Sequence, residues 1–592
     1  MYRAPVEEIA FTLKHVAGLG EAMKAGRTGD LSEDLVDAVL SEAGRFASEQ
    51  VAPLAKVGDE VGAVWKSGAV TMPPGWKDLY RAWAEAGWNG LSGPADFGGQ
   101  GLPVMLNIAA LEMWNAASMA FGVGPTLTMG AVEALDKHGS DFLKSLYLEK
   151  LVSGEWMGTM NLTEPQAGSD LAALKTRAEP AGDGTYRIFG QKIFITYGEH
   201  DLTNNIVHLV LARLPDAPAG TRGISLFLVP KFLLNEDGTP GRRNDAVCAS
   251  IEHKLGIHAS PTCTMIYGDG SVEGEPAGAV GWLVGEENRG LACMFTMMNN
   301  ARLAIGIQGV AVADAAYQRA LAYARDRRQG KAPSASGAGM SPIVDHPDVQ
   351  RNLLTMAALV GAARAICYSC AHAIDMGHAA QGDEATHWTD RAGLLTPLAK
   401  AFSTDVGVDV ASLGVQIHGG MGFIEETGAA PLYRDARIAP IYEGTNGIQA
   451  IDLVQRKLPL GGGEHVHGYI AELRRDVDGL RSSNLPQLGG TADRLDAALA
   501  DLEATTRFLQ RALAEGRIAE AQAGATPYLR LFSLAAGGAL LARGAVAGRD
   551  ARRTALLRFF AENIVGETAA LRDRVENGAD SLLAAAGAIL AA

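Results

Sequence analysis

From residue 32 to about 154 the apolar positions recur at helical spacing. Leu35, Val36, Val39, Leu40 and Ala43 form one stripe, and Trp76, Leu79, Tyr80 and Trp83 repeat it. The pattern changes at Met157. TYRIFGQKIFITY, NIVHLVLAR, GISLFLVPK and TCTMIYG are short, β-branched and bounded by Gly, Pro or Asp. They predict an all-β domain reaching about Val284, with RIFGQKIFIT as a hairpin turning at Gly190. Helical periodicity returns at Gly290 in long amphipathic stretches at 294–327, 349–377 and 394–417, and a four-helix arrangement is the natural way to bury such faces. After PLGGGEHVHG (459–468) the chain is again helical, rich in Ala, Leu and Arg. The expected architecture is an α+β multidomain chain. Its parts are an N-terminal arm with one short helix (1–35), an N-terminal helical domain (36–156), a middle β-barrel-like domain (157–284), a C-terminal four-helix bundle (285–460) and an extra helical C-terminal domain (469–592).

Composition narrows the class. A chain of 592 residues is too long for one core. The net charge of −15 argues against a nucleic-acid partner and against a polybasic membrane anchor. Five cysteines make no disulfide framework, and Cys367 and Cys370, three apart on one helix face, read as buried thiols. No metal-ligand spacing of the His/Cys type occurs, and His465 and His467 read as solvated linker residues. The opening MYRAPVEEIAF lacks the apolar core of a signal peptide, and no run of about 18 uninterrupted apolar residues follows. The expectation is a cytoplasmic protein without an integral membrane segment.

One stretch concentrates candidate chemistry: APIYEGTNGIQAIDLVQRKL, residues 439–458. It sets Glu443 between Tyr442 and Gly444, ahead of an apolar-periodic run. Thr445 or Asn446 is the candidate N-cap of the helix that follows. A carboxylate there has helix N–H groups to hand, and Gly444 lets a flat ligand approach the backbone. Taken alone, the stretch reads first as a surface turn with a solvated Glu.

Three further motifs change that balance: NLTEPQAGSD (161–170), QKIFIT (191–196), and QIHGGMGF (416–423) followed by YRDARI (433–438). With IYEGTNGIQ, and in this order on a helix–strand–helix background, the chain resembles the flavin-dependent acyl-CoA dehydrogenase family over about 35–458. The arm and the extension are similar to a large bacterial subclass that includes 3-(methylthio)propionyl-CoA and broad-range fatty acyl-CoA dehydrogenases.

The resemblance implies FAD as cofactor and α,β-dehydrogenation of an acyl-CoA thioester. No side chain accepts hydride, so a cofactor must. It implies Glu443 as the base, with its own N–H helping to bind the thioester oxygen, and Arg302 as the cation beside it. Ala301 occupies the position where some relatives carry the base, and it cannot abstract a proton. On the FAD side the resemblance points to Leu162, Thr163, Phe194 and Thr196 at the ring, with Phe194 standing where Trp is usual. It points also to Ser169, Arg327 and Thr445, and to Gln416, Gly419 and Gly420 for the FAD of a neighbouring subunit. Ser169, Asn299, Arg302 and Gly444 are the substrate-side candidates. RDRRQGK keeps Arg327 but lacks the family's usual Phe, and HPDVQ places His346 and Pro347 near an expected Gln. The implied partners are electron-transfer flavoprotein and a second copy of the chain, a dimer being the expected state. Rival readings are an acyl-CoA oxidase using dioxygen and a non-catalytic flavin scaffold. Acyl chain length stays open.

Overall fold

The computed structural model describes residues 2–590, apart from 273, 275, 337, 338 and the side chain of Asn299. The chain forms two compact units. One contains Met1–Arg45, Val104–Ala116 and Arg302–Ala592; the other contains Phe46–Pro103 and Ala117–Ala301.

The second unit carries the sheet. Its strands are β1 (Met157–Asn161), β2 (Arg177–Pro180), β3 (Tyr186–Thr196), β4 (Ile206–Ala212), β5 (Ser225–Pro230), β6 (Ala246–Ile251), β7 (Thr262–Tyr267) and β8 (Ala279–Val284). Their order is β6-β7-β3-β8-β5-β4-β1, with β2 also paired to β3. β6 and β1 are thus the two ends of the path. β4 and β5 are buried at every position, which is why they read as near-continuous apolar runs. Trp156, Tyr147, Leu148 and Leu151 pack with them in the core.

The predicted hairpin at Gly190 is not there. Residues 186–196 form one long strand, and Gly190 lies inside it at φ +152. A Cβ at Gly190 would lie 2.5 Å from Thr176 Oγ1, so close approach of another backbone, not a turn, is what the glycine serves.

The other unit is helical. Its long helices are α1 (Val104–Ala117), α2 (Gly290–Asp326, from Arg302 onward), α3 (Pro347–Ala379) and α4 (Gly382–His418). They are followed by the short α5 (Asn446–Asp452) and the extension helices α6 (Glu464–Ser482), α7 (Thr491–Ala514) and α8 (Ala525–Gly548). Glycines let α2 and α4 meet backbone to backbone. A Cβ at Gly306 would lie 2.4 Å from the Ala399 carbonyl oxygen, and one at Gly309 would lie 2.2 Å from that of Ser403. A buried network ties three helices: Arg364 on α3 donates to Glu112 on α1 at 2.6 and 2.8 Å and to Asp314 on α2 at 3.2 Å. Tyr368 adds a bond to Glu112 at 2.5 Å. Removing one partner of such a buried set costs about 3–5 kcal/mol.

Residues 1–35 are more ordered than an arm. Helical turns cover Val6–Phe11, Thr12–Val16 and Leu19–Lys24, burying Ile9, Leu13, Val16 and Leu19. The extension packs on this unit: a Cβ at Gly537 of α8 would lie 2.8 Å from Ala362 Cβ of α3. Arg543 joins Asp476 at 2.8 and 3.0 Å and the Val16 carbonyl at 2.8 Å. Arg552 and Arg553 pair with Glu8 of the first helical turn. His465 and His467 lie on α6 and not in a linker, and His467 bonds Gln510 at 3.0 Å. α3 and α8 are long and apolar enough to cross a membrane, but 72% of each apolar window is buried within the structure, as in core helices. The five cysteines are free and buried, and burial pushes the Cys370 thiol up to about 12.

Gly309→Ala forces α2 and α4 apart. It is expected to lower the unfolding free energy by about 1–3 kcal/mol, read as a lower urea midpoint. Gly468→Ala, in open space on α6, is the control and is expected to stabilise by up to about 1 kcal/mol. Equal midpoints for the two variants would contradict the crossing.

Candidate active site

In the helical unit the chain leaves a short helix at Ala436 and turns back on itself before α5. Asn446 N–H donates to the Pro440 carbonyl at 3.0 Å and closes the loop. Glu443 sits at φ +55 and Gly444 at φ +86, two left-handed residues in succession. A non-glycine residue there costs about 1–2 kcal/mol, so the surroundings must hold it. They do. Gln449, fully buried, donates to the Glu443 carbonyl at 3.3 Å. Lys400 of α4, also fully buried, donates to the Gly444 carbonyl at 2.8 Å and to Asn446 Oδ1 at 2.9 Å. Asn446 in turn donates to the Ala401 carbonyl, Thr404 and Asp405. Thr445 is the N-cap, accepting from Ile448 N–H at 3.3 Å. Tyr442 donates to Gln308 of α2. Gly444 is required twice over: by its φ, and because a Cβ would lie 2.8 Å from Gln449 Nε2.

The Glu443 carboxylate makes no hydrogen bond among the described residues, and its backbone N–H finds no acceptor there. Burial pushes its pKa above the ordinary carboxylate value; Arg302 and Lys400 pull it back only in part. By surface area the residue is only half-buried, so it is sunk in protein yet reachable from one side. Burial pushes Arg302 down, while Asp452 and Glu443 favour its charge. Arg302 Nε, Gln308 Nε2 and Gln449 Oε1 are buried without a partner among the described residues. Three such orphans around one loop are what a bound polar ligand would satisfy.

In the β-containing unit, Leu162 and Thr163 leave the end of β1. The buried Lys192 of β3 donates to the Leu162 carbonyl at 3.0 Å and to Glu164 at 2.8 Å, and Ile193 N–H donates to the Thr163 carbonyl at 2.9 Å. Glu164 also accepts from the N–H groups of Lys175 and Thr176. Burial alone would raise its pKa, but Lys192 and these bonds outweigh it and hold the carboxyl at about 2. Where β3 pairs with β7 the register shifts between Cys263 and Met265, and at this bulge Phe194 adopts φ +59. The residue is 58% exposed, a large apolar side chain left at the surface of its unit. The hydroxyls of Thr163 and Thr196 make no hydrogen bond among the described residues. Ser169 is exposed.

Gln416, Gly419 and Gly420 lie at the far end of α4, some 24 Å along the helix from Lys400 at 1.5 Å per residue. They are exposed, Gly419 has φ +61, and a Cβ at either glycine would meet open space. Met421, Phe423 and Ile424 beside them are exposed too, Phe423 by 86%. Arg327 is exposed just past α2. The Asn299 side chain lies outside the described residues.

Sequence reasoning missed Lys400 and Lys192. Each had one signal, a lysine at a position that the apolar pattern (LLTPLAKAF) or the strand alternation (QKIFIT) reserves for the core.

In the helical unit, then, a reachable, poorly solvated carboxylate lies beside two cations. The comparisons supply the class. Models of the acyl-CoA dehydrogenase N-terminal, middle and C-terminal domains match residues 34–155, 159–269 and 288–458, and one described as acetyl-CoA dehydrogenase C-terminal like matches 466–586. The 3-methylmercaptopropionyl-CoA dehydrogenase of Ruegeria pomeroyi is 46% identical over 99% of both chains. The broad-specificity linear acyl-CoA dehydrogenase of Mycobacterium tuberculosis is 34% identical over 80% of this chain and 78% of its own. Caenorhabditis elegans ACDH-11, solved with C11-CoA, shares the fold at a TM-score of 0.76 and 21% identity, covering 98% of this chain and 96% of that one. The chain belongs to the acyl-CoA dehydrogenase family, an enzyme family whose cofactor is FAD. The orphaned polar atoms around Glu443 are compatible with a bound polar group.

Lys192→Met leaves Glu164 buried and unpaired. It is expected to destabilise by about 3–5 kcal/mol, with partial recovery in the Lys192→Met/Glu164→Gln double variant. The unfolded Glu164 takes up a proton near the ordinary carboxylate value and the folded one only at about 2. Its contribution is therefore complete above that ordinary value and lost as pH falls toward 2. Acid titration of wild type against Glu164→Gln checks this; identical acid midpoints would exclude it.

Proposed function

We propose that this enzyme dehydrogenates a short acyl-CoA at Cα–Cβ, with 3-methylmercaptopropionyl-CoA as the substrate class, and passes the electrons to electron-transfer flavoprotein in the cytoplasm. The substrate reading rests on the full-length likeness to the Ruegeria pomeroyi enzyme. The chemistry rests on Glu443, a carboxylate with a raised pKa, no hydrogen bond of its own, and a locked left-handed backbone.

Glu443 takes the α-proton. An ordinary carboxylate is too weak a base for that carbon, and a poorly solvated one is stronger. The free Glu443 N–H donates to the thioester oxygen, where enolate charge develops, so the loop delivers base and oxyanion donor together. Arg302 keeps the carboxylate ionised before substrate enters, and Gly444 leaves room for the thioester. Ser169 completes the substrate contacts. FAD would supply the acceptor for the β-hydrogen, taken as hydride. Leu162, Thr163, Phe194 and Thr196 would hold its ring, Thr445 and Ser169 its phosphates, and Arg327 its adenosine half. Gln416, Gly419 and Gly420 would hold the FAD of a neighbouring subunit. The exposed Met421, Phe423 and Ile424 are the apolar face of that dimer.

Anaerobic titration with a panel of acyl-CoAs is expected to bleach the flavin band, with 3-methylmercaptopropionyl-CoA among the best; a flavin that no acyl-CoA bleaches overturns the reading. Glu443→Gln keeps the shape and removes the base. It is expected to bind FAD and acyl-CoA but to lose about 10²–10⁴-fold or more in kcat. Phe423→Asp is expected to shift sedimentation from dimer toward monomer and to weaken FAD retention; an unchanged dimer would place the interface elsewhere.

A further inference from the structure

Lys400 has no part in the chemistry described so far, and its surroundings are unusual for a lysine. It sits in the middle of α4, fully buried, where the helix otherwise carries Leu394, Leu395, Leu398 and Phe402. The contact of Gly306 with the Ala399 carbonyl brings this turn of α4 against α2, one turn from Arg302. Its ammonium donates to the Gly444 carbonyl and to Asn446 Oδ1, the residues directly after the base. A neutral core needs no charge there, and burying one is costly unless it is matched.

We infer that Lys400 is a positioning residue that fixes both the backbone and the charge state of the Glu443 base. This rests on the acyl-CoA dehydrogenation proposed above.

The backbone argument is geometric. The two left-handed residues expose two carbonyls, and each is tied to one buried side chain: Glu443 to Gln449, Gly444 to Lys400. Losing the Lys400 bond leaves the Gly444 carbonyl and Asn446 to relax, and the carboxylate moves with them. A displacement of about 1 Å at a reacting group costs on the order of 10²-fold in rate.

The charge argument is electrostatic. The groups facing Lys400 are Asp405 on its own helix, Glu443 on the loop and Arg302 on α2. Glu443 is faced by Arg302 and Lys400. Burial pushes Lys400 down to about 7, against the pull of Asp405 and Glu443. Below that value the lysine is mostly charged, and its charge favours ionised Glu443. Removing it takes away one of the two cations that hold the carboxylate down, so the pKa of the base must rise.

Lys400→Met and Lys400→Gln separate the two arguments, since Gln keeps a donor for the Gly444 carbonyl without the charge. Both are to be assayed as FAD-loaded enzyme across pH, beside wild type, with the substrate that bleaches wild type. The acid limb of kcat/KM is expected to move up by about one pH unit in both, while kcat falls about 10–100-fold in Met and less in Gln. Flavin absorbance and melting temperature report whether each variant folds; if Met does not, Gln alone decides. An acid limb unmoved in a folded variant overturns the inference, whatever happens to kcat, because a merely structural lysine lowers activity without moving that limb. Loss of FAD and fold in both variants also overturns it, leaving Lys400 a structural residue. A wild type that no acyl-CoA reduces defeats the proposed function instead, so the two failures are distinct.

Discussion

A carboxylate held in a left-handed backbone conformation is the constraint on which the helical unit is arranged. Glu443 at φ +55 is not where an L-residue rests by preference. It stays there because buried donors on two helices hold the carbonyls of Glu443 and Gly444. The close contact of α2 and α4 through Gly306 and Gly309 brings Arg302 of the one and Lys400 of the other to the same carboxylate. The glycine contact, the buried lysine and the strained glutamate form one chain of cause. What strain the loop carries is offset by the packing of long helices far larger than itself.

The β-containing unit solves the same problem by the same means. There the loop after β1 must be held with its hydroxyls free, and again a buried lysine donates to a loop carbonyl, Lys192 to Leu162. Glu164 neutralises it at 2.8 Å, as Asp405 and Glu443 face Lys400. An ammonium presents three donors on a long stem, which suits a role as a clamp on backbone carbonyls. Beside this clamp, the bulge in β3 turns Phe194 out of the sheet. An extended strand would have alternated it inward or outward by parity alone; the bulge sets its direction independently.

The extension is part of the helical unit's core more than an addition to it. α8 lies against α3 through Gly537, and Arg543 joins the extension to Val16 near the N-terminus. This explains why the first residues are helical and buried: their apolar side chains have α8 to pack against.

Periodicity determined the succession of helical, β and helical segments and a helix cap at Thr445 or Asn446, because these follow from interactions between residues close in sequence. Glu443 as the candidate base came only with the resemblance that the motifs carry. Gly190 was misjudged as a turn because a glycine that admits a distant Thr176 looks, in one dimension, like a glycine that reverses the chain. Lys400 and Lys192 were passed over because their partners lie in other elements, so nothing near them in sequence shows what their charge is for. Tertiary structure alone decided the raised pKa of Glu443, the outward Phe194 and the lysine clamps. Burial, charge proximity and strand register arise only when segments distant in sequence are brought within a few ångströms.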